Sequence, residues 1–299
     1  MTLSTRYLFS ICVVIWGSTW FAITAQLGSV APEMSVGYRF LLASMALFGY
    51  CRWRGLPLSF KPREHADLAL LGLTMFCVSY IFVYYAETFI VSGMVAVGYS
   101  ASPMLSMVAS RICFGTAMTL RVAIASLLGI AGICCVFWPE FGKLSESRSV
   151  ELGALFTAIS VLIAVAGSMA ALRCQARGYS TWANMAWGMF YGGAMSLGIG
   201  LASGQPFAFQ LTAGYVSSLL YLALFGSIVT FACYLTILKR IGAARAGYIG
   251  VMVPIVALVV SFFLEKFDWT ALTTVGVALS VIGNVVMLQP AAKPAAAAG

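Results

Sequence analysis

Ten apolar stretches, each close to the length that crosses a lipid bilayer, divide this sequence. They fall at about 7–27, 33–51, 66–86, 90–113, 119–138, 151–172, 181–202, 213–238, 244–264 and 270–288. A helix needs about 20 apolar residues to cross the hydrocarbon core, and the core offers no partner to an unpaired backbone group. Only 9% of the residues are charged, against roughly 25% in soluble domains. The sequence therefore predicts an all-α integral membrane protein with ten transmembrane helices.

The basic residues separate onto one side of these ten spans. With the N-terminus in the cytoplasm, the cytoplasmic segments carry 13 of them: Arg6, Arg52, Arg54, Lys61, Arg63, Arg111, Arg121, Arg173, Arg177, Lys239, Arg240, Arg245 and Lys293. The opposite side carries three: Lys143, Arg148 and Lys266. Because cytoplasmic loops are enriched in Lys and Arg, both termini are predicted to be cytoplasmic. The net charge of +8 is then explained by topology, and no nucleic-acid partner is predicted.

The two halves of the chain are related as a repeat. A shift of 151 residues places Pro103 on Pro254, Ser110 on Ser261, Leu128 on Leu279 and Gly132 on Gly283; a shift of 150 places Gly17-Ser18 on Gly167-Ser168. Each half holds five spans, and an odd number makes the halves enter the membrane from opposite sides. The predicted units are a first repeat over residues 1–140, an inverted second repeat over 141–290, and a disordered cytoplasmic tail over 291–299. Inverted repeats are typical of secondary transporters, whose site lies near the midplane between the repeats.

Pro103 and Pro254 lie near the centres of the fourth and ninth spans. A proline inside a helix lacks an N–H and clashes with the carbonyl four residues back, which here belongs to Tyr99 and to Gly250. Paired helix breaks at corresponding positions indicate a binding site. A pair of structural kinks is the alternative interpretation.

Trp16 and Trp20 share one face of the first span, near mid-depth, by their spacing of four residues. The indole N–H needs a partner that lipid does not supply. Gly17, Ser18 and Thr19 lie between them, and small or hydroxyl residues favour close helix packing. We predict that one face packs and that the other faces an amphipathic substrate; packing on both faces is the alternative.

Tyrosines extend this hypothesis to other spans. Tyr80, Tyr84 and Glu87 follow one face of the third span, and two phenols with a carboxylate make poor lipid contacts. Further substrate-binding candidates are Tyr99, Tyr234 and Tyr248. Tyrosines near a membrane surface also form interfacial belts, and this alternative applies to Tyr84, Tyr85 and Tyr248.

Arg39 is the one basic residue well inside a span, about seven residues beyond Pro32. A charge at that depth is costly and is usually functional or paired. It is predicted either to pair with Glu33 or Glu87, or to contact a substrate carboxylate. Proton-driven transporters commonly use carboxylates buried within the membrane as relays. Glu33 and Glu87 are the only candidates in this sequence, and both lie near the outer ends of their spans. Facilitated movement down a gradient is therefore as compatible with the sequence as proton antiport.

The cysteines and the single His65 predict no metal site. The eight cysteines are scattered and contain no C-x-x-C pair, so neither a disulfide framework nor a metal-ligating pattern is present. No metal and no cofactor are predicted.

Several segments resemble a known family. IWGSTWFAI followed by PEMSVGYRFLLASMAL, then VGYSASPMLSMVASRICFG and YIGVMVPIVALVVSFFLEKFDWTALTTVGVALSVIGNVVML, are similar to the EamA-type drug/metabolite transporter superfamily over residues 7–288. The resemblance is greatest to its YddG-type amino-acid exporters. It implies ten helices in two inverted halves around a central cavity, and export or exchange of small metabolites. The first repeat departs from the family at CFGTAMT, where many relatives carry an acidic residue; the second keeps one, Glu265.

The predicted function is a membrane transporter that exports small amphipathic metabolites, including aromatic or apolar amino acids, by alternating access through a central cavity. A proton-coupled exporter of other metabolites or drugs is the alternative. A membrane enzyme would need a catalytic cluster, which the sequence lacks at either end of the spans, and a structural subunit would not need paired mid-membrane breaks. The protein is expected to be a monomer or a weak homodimer.

Overall fold

The computed structural model describes residues 4–115, 120–142, 148–234, 236–237, 240 and 248–288. Within these ranges the chain forms eleven helices and no strand: α1 Thr5–Thr24, α2 Pro32–Trp53, α3 Pro62–Glu87, α4 Ser92–Tyr99, α5 Ser102–Phe114, α6 Leu120–Gly142, α7 Arg148–Ala176, α8 Thr181–Ala202, α9 Ala213–Tyr234, α10 Tyr248–Leu264 and α11 Ala271–Leu288. α4 and α5 together occupy the fourth predicted span, so the eleven helices build ten spans. The predicted tail, residues 291–299, lies outside the described residues.

The helices have the character of membrane spans. Five are long and apolar enough to cross a membrane by themselves: α1, α2, α3, α7 and α9. Shorter apolar helices run over residues 123–139, 249–264 and 271–286. The fourth span, predicted over 90–113 with a bend or break near Pro103, is divided at Ser100 and Ala101. The fold is an all-α integral membrane bundle of ten helices.

Both repeats contain a π-helical stretch in their third span. In α3 it covers Gly72–Val78 and in α9 it covers Tyr221–Val229. In α9, the hydroxyls of Ser227 and Thr230 donate to carbonyls five residues back, at 3.0 and 2.6 Å. π-helical turns widen a helix by one residue and are frequent at functional sites. The two π-helical stretches lie at matching positions of the two repeats, as expected for two copies of one structural unit.

Helix packing follows the same symmetry. Two pairs join corresponding helices of the two repeats: α6 packs along α11, and α2 packs along α8. In the same way, α1 of the first repeat packs on α10 of the second, and α7 of the second repeat packs on α4 and α5 of the first. α6 and α11 approach each other closely: a Cβ at Gly132 would lie 2.5 Å from the Gly276 carbonyl oxygen, and a Cβ at Gly283 would lie 2.7 Å from that of Ala125. These two contacts are related by the shift of 151 residues found in the sequence. The two halves therefore meet as inverted repeats.

This packing predicts a large effect of a single methyl group. Gly132→Ala should lower the free energy of unfolding by about 1–3 kcal/mol, because the added carbon meets backbone atoms that have no room to move. Gly49→Ala in α2 is the matched control, since no heavy atom lies within 4 Å of its added Cβ. Thermal unfolding in detergent checks the pair. Equal unfolding temperatures would show that the α6–α11 interface is looser than described.

The orientation of the bundle is a separate prediction, carried by the distribution of the basic residues. Reporter fusions at residues 58 and 145 should give opposite signals, with the first in the cytoplasm and the second outside. Equal signals at the two positions would contradict the ten-span topology.

Candidate functional site

The fourth span breaks beside Pro103. α4 ends at Tyr99, and α5 begins at Ser102 with the proline in its first turn. Since Pro103 has no N–H, the helix cannot continue its ladder there; the chain instead makes two short turns, Ser100 N–H to the Val97 carbonyl (2.9 Å) and Ala101 N–H to the Gly98 carbonyl (3.2 Å). The fourth span is thus interrupted by two tight turns beside the proline.

The ninth span keeps its helix. Pro254 lies inside α10, which runs from Tyr248 to Leu264 without division, and Gly250 lies in its first turn. The sequence predicted corresponding breaks at the two prolines, and the structure divides only the span of the first repeat. The fourth span is therefore interrupted beside its proline, whereas the ninth span is one continuous helix.

A cavity of about 300 Å³ lies between these two spans. Seven of its lining residues are candidates from the sequence: Trp16, Trp20, Tyr80, Tyr99, Pro103, Gly250 and Pro254. Six others were not predicted as site residues: Thr19, Val83, Ala96, Ser102, Phe231 and Val253. Both repeats contribute to the lining, and its volume is within the range of small-molecule pockets, about 300–1,000 Å³.

Five of the thirteen residues that line the cavity are aromatic. The rings of Trp20 and Tyr99 are 5.0 Å apart, and those of Trp16 and Phe231 are 5.3 Å apart in an edge-to-face arrangement. Such pairs add about 0.5–1.5 kcal/mol beyond their burial, so the rings hold one another in position. The cavity therefore has an aromatic surface whose rings are held in fixed positions.

Two polar groups of this wall are already used by the protein. The Trp16 indole N–H donates to the Gly226 carbonyl (3.1 Å) in the π-helical stretch of α9. The Tyr99 hydroxyl is 2.6 Å from that of Ser160, which in turn donates to the Ser79 carbonyl (2.7 Å). These bonds fix the rings, and they occupy the Trp16 N–H and the Tyr99 hydroxyl, which are then not free for a substrate.

Other polar groups of the lining have no such partner. The Tyr80 hydroxyl and the Trp20 indole N–H make no hydrogen bond to another described residue, and the Ser102 hydroxyl is buried without a partner within the described part of the chain. Ser102 directly precedes the proline at the break. These three donors are the ones that remain for a ligand.

Three predicted residues lie elsewhere. Tyr84 is fully buried and donates to the Gln26 side-chain oxygen (2.7 Å), so it lies beyond the end of the cavity. Tyr234 is half-buried, with its ring 5.6 Å from that of Trp16, and packs behind the wall. Tyr248 begins α10, and its side chain lies outside the described part of the structure.

Arg39 lies directly behind the cavity wall. It is 3% exposed, and its guanidinium is 4.7 Å from the centre of the Tyr80 ring and 5.1 Å from that of Phe40. Its Nη2 atom and the side chain of Thr19 both approach Gly226. Its Nε and Nη1 atoms have no hydrogen-bond partner within the described residues. An incompletely satisfied cation therefore lies next to two residues of the cavity lining, Tyr80 and Thr19.

The carboxylates predicted to pair with Arg39 make no contact of ion-pair length with it in the described structure. Glu33 instead accepts a hydrogen bond from the Tyr85 hydroxyl (2.7 Å). Glu87 is 7% exposed, and neither of its oxygens has a partner among the described residues. With Gln26 and Tyr84 these residues form a buried polar layer on the predicted outer side of the cavity.

Glu265 joins α10 to α4 at the same end of the bundle. Its carboxylate accepts hydrogen bonds from the Ser92 N–H (3.1 Å), from the Ser92 hydroxyl (2.6 Å) and from the Ser261 hydroxyl. The carboxylate caps the first turn of α4, where the helix dipole favours negative charge.

Comparisons with known proteins agree with the fold. The family model described as "EamA-like transporter family" matches residues 4–138 and again residues 151–289. The inner membrane transporter YedA of Escherichia coli strain K12, described as uncharacterized, is 29% identical over 311 residues, covering 95% of this chain and 92% of the relative. Protein PagO of Salmonella typhimurium is 22% identical over 259 residues, covering 85% of this chain and 83% of the relative. One solved crystal structure superposes with a TM-score of 0.69 at 16% identity, covering 94% of this chain and 95% of the other.

Proposed function

Since the chain belongs to the EamA-like transporter family, we propose that this membrane transporter exports small amphipathic metabolites, above all amino acids with apolar or aromatic side chains. The route is the aromatic cavity, used by alternating access. The protein would act in a bacterial inner membrane with both termini in the cytoplasm. The observation that carries the proposal is the cavity itself, built from aromatic residues of both repeats at the broken fourth span.

The cavity offers one kind of contact to the side chain and ammonium group of an amino acid, and another kind to its carboxylate. The rings of Trp20, Tyr99 and Phe231 offer apolar surface to its side chain, and a ring face attracts its ammonium by about 0.5–2 kcal/mol. Its carboxylate requires donors and positive charge. The free Tyr80 hydroxyl and the Arg39 guanidinium beneath the Tyr80 ring supply these at one end of the cavity.

The irregular fourth span supports a change of access. α4 is held at its first turn by Glu265, whereas its last turn ends in the cavity wall at Tyr99. Movement at Ser100 and Ala101 would displace Tyr99 and Ser102 without unfolding either helix. A carrier needs such a hinge beside its site, because it must release on one side what it binds on the other.

Transport by the purified protein in liposomes tests the proposal. Vesicles loaded with unlabelled L-phenylalanine should accumulate radiolabelled L-phenylalanine by exchange, at a rate well above that of protein-free vesicles. A panel containing polar amino acids, sugars and cationic drugs should show preference for apolar and aromatic amino acids. Exchange of drugs or sugars alone would replace the proposed substrate class with another.

A further inference from the structure

A second cavity, of about 550 Å³, lies at the predicted outer end of the bundle. Its lining comes from residues 27–32 between α1 and α2, from the end of α3, from α7 and from the connection between α8 and α9. Hydroxyl groups of Ser29 and Thr88 and the rings of Phe89 and Phe156 are part of it. This cavity, which we call the outer vestibule, offers polar and aromatic surface to the same class of molecule as the aromatic cavity.

The two cavities lie one above the other along α1 and α3. Trp20 of α1 lines the aromatic cavity, and Leu27, just beyond the end of α1, lines the vestibule. On α3, Tyr80 lines the aromatic cavity and Thr88 lines the vestibule. At 1.5 Å per residue, the eight residues between them correspond to about 12 Å along the helix. A short segment of the bundle therefore separates the two spaces.

A single hydrogen bond crosses from α3 to the end of α1 within this segment. The Tyr84 hydroxyl donates to the Gln26 side-chain oxygen at 2.7 Å, and both side chains are fully buried. Along the chain, Tyr84 lies between Val83, which lines the aromatic cavity, and Tyr85, which lines the vestibule. The bond therefore lies between the two cavities and joins the two helices that border both.

Unpartnered polar atoms are concentrated in the same segment. Nine side-chain nitrogen or oxygen atoms are buried without a hydrogen-bond partner among the described residues, and six of them belong to Gln26, Glu33, Arg39 and Glu87. Most buried polar groups in folded proteins are paired, because burial without a partner is costly. If α1 and α3 separated here, water would reach these atoms and offset that cost. The buried polar layer is therefore closed in this structure but favours hydration.

We propose that this layer is the outer gate of the transporter, and that the bond between Tyr84 and Gln26 keeps it closed. Separation of the end of α1 from α3 breaks the bond, hydrates the layer and joins the aromatic cavity to the outer vestibule. The vestibule then receives the released metabolite before it leaves the protein. This inference rests on the function proposed above.

Other polar bonds at the outer end hold together helices that such a movement would leave in place. Glu33 accepts from the Tyr85 hydroxyl (2.7 Å) and so joins α2 to α3. The hydroxyls of Ser35 and Tyr215 are 2.9 Å apart and join α2 to α9. Neither Ser35 nor Tyr215 lines the aromatic cavity or the vestibule. The contact between α1 and α3 is therefore the one whose loss connects the two spaces.

The test measures how fast a membrane-impermeant maleimide reaches the aromatic cavity from outside. Ser102→Cys places a thiol in the cavity lining at the cost of one changed atom, and spheroplasts of an expressing bacterium present the outer face to the reagent. Mass spectrometry of the peptide that contains residue 102 gives the rate of modification. Adding Y84F should raise this rate roughly fivefold, the change in an equilibrium expected for one lost hydrogen bond.

Tyr215→Phe is the matched control. It also removes the hydroxyl of a buried tyrosine at the outer end and one hydrogen bond, to Ser35, but that bond does not lie between the cavities. The rate of modification at residue 102 should therefore stay at that of the Ser102→Cys protein. If Y84F does not fold, Gln26→Ala breaks the same bond from the other side and should raise the rate in the same way.

The outcomes separate this inference from the proposed function. An equal rate of modification with and without Y84F overturns the gate, and so does an equal acceleration by Tyr215→Phe. Exchange of L-phenylalanine by the wild-type protein in liposomes would still support the proposed function in either case. Faster modification in Y84F together with no exchange of any amino acid would support the gate and overturn the proposed substrate class.

Discussion

Replacing Arg39 by glutamine should reduce transport of L-phenylalanine about 100-fold. Removing one partner of a buried charged interaction costs about 2–5 kcal/mol, and each 1.4 kcal/mol corresponds to tenfold in affinity. The guanidinium lies 4.7 Å from the Tyr80 ring, with unpartnered nitrogens beside the cavity. The initial rate of exchange in liposomes, corrected for the amount of reconstituted protein, measures the effect.

Two controls distinguish carboxylate binding from a structural role of Arg39. Arg39→Lys keeps the charge and loses the two-pronged geometry, so it should retain a measurable part of the rate. L-Phenylalaninol, which lacks the carboxylate, should be affected far less than L-phenylalanine by the glutamine substitution. If Arg39→Gln lowers the unfolding temperature while the folded fraction transports normally, Arg39 only stabilises the bundle.

Replacing Tyr99 by alanine should lower transport about tenfold in protein that still folds, although with reduced stability. The substitution removes one ring of the Trp20–Tyr99 pair, at 5.0 Å, and with it an aromatic contact of about 0.5–1.5 kcal/mol and a ring face worth about 0.5–2 kcal/mol to an ammonium group. Exchange rates over a range of substrate concentrations should show the loss mainly as weaker apparent affinity.

Tyr99→Phe is the matched variant because it keeps the ring and removes only the hydroxyl. The bond to Ser160 (2.6 Å) is then lost, which should cost about 1 kcal/mol of stability while transport stays near that of the wild type. A Tyr99→Phe variant as defective as Tyr99→Ala would show that the hydroxyl, rather than the ring, is what transport requires.

The sequence by itself determined the helical architecture and its symmetry. Apolar segments of this length have no alternative to helices in lipid. A proline lacks its N–H in any fold, but this alone does not divide a span: the chain is interrupted beside Pro103, whereas α10 continues through Pro254. The α-helical period likewise placed Trp16 and Trp20 on one face, and both line the cavity. The repeat was visible because Gly132 and Gly283 occupy equivalent contacts between α6 and α11.

Only the tertiary structure decided where the cavity ends and which of its polar groups are free. Tyr80 and Tyr84 have the spacing of Trp16 and Trp20, yet Tyr84 is fully buried against Gln26 because the bundle has closed at its depth. Phe231 and Val253 come from distant parts of the chain, and their apolar side chains carry no local signal for a site.

The partner of the Trp16 N–H is a carbonyl 210 residues away in a π-helical stretch. Arg39 stood out as a buried charge, but the lack of a contacting carboxylate depends on how α2 packs against α3. Periodicity specifies the face of a helix, whereas depth, closure and hydrogen-bond partners arise only when the helices pack together.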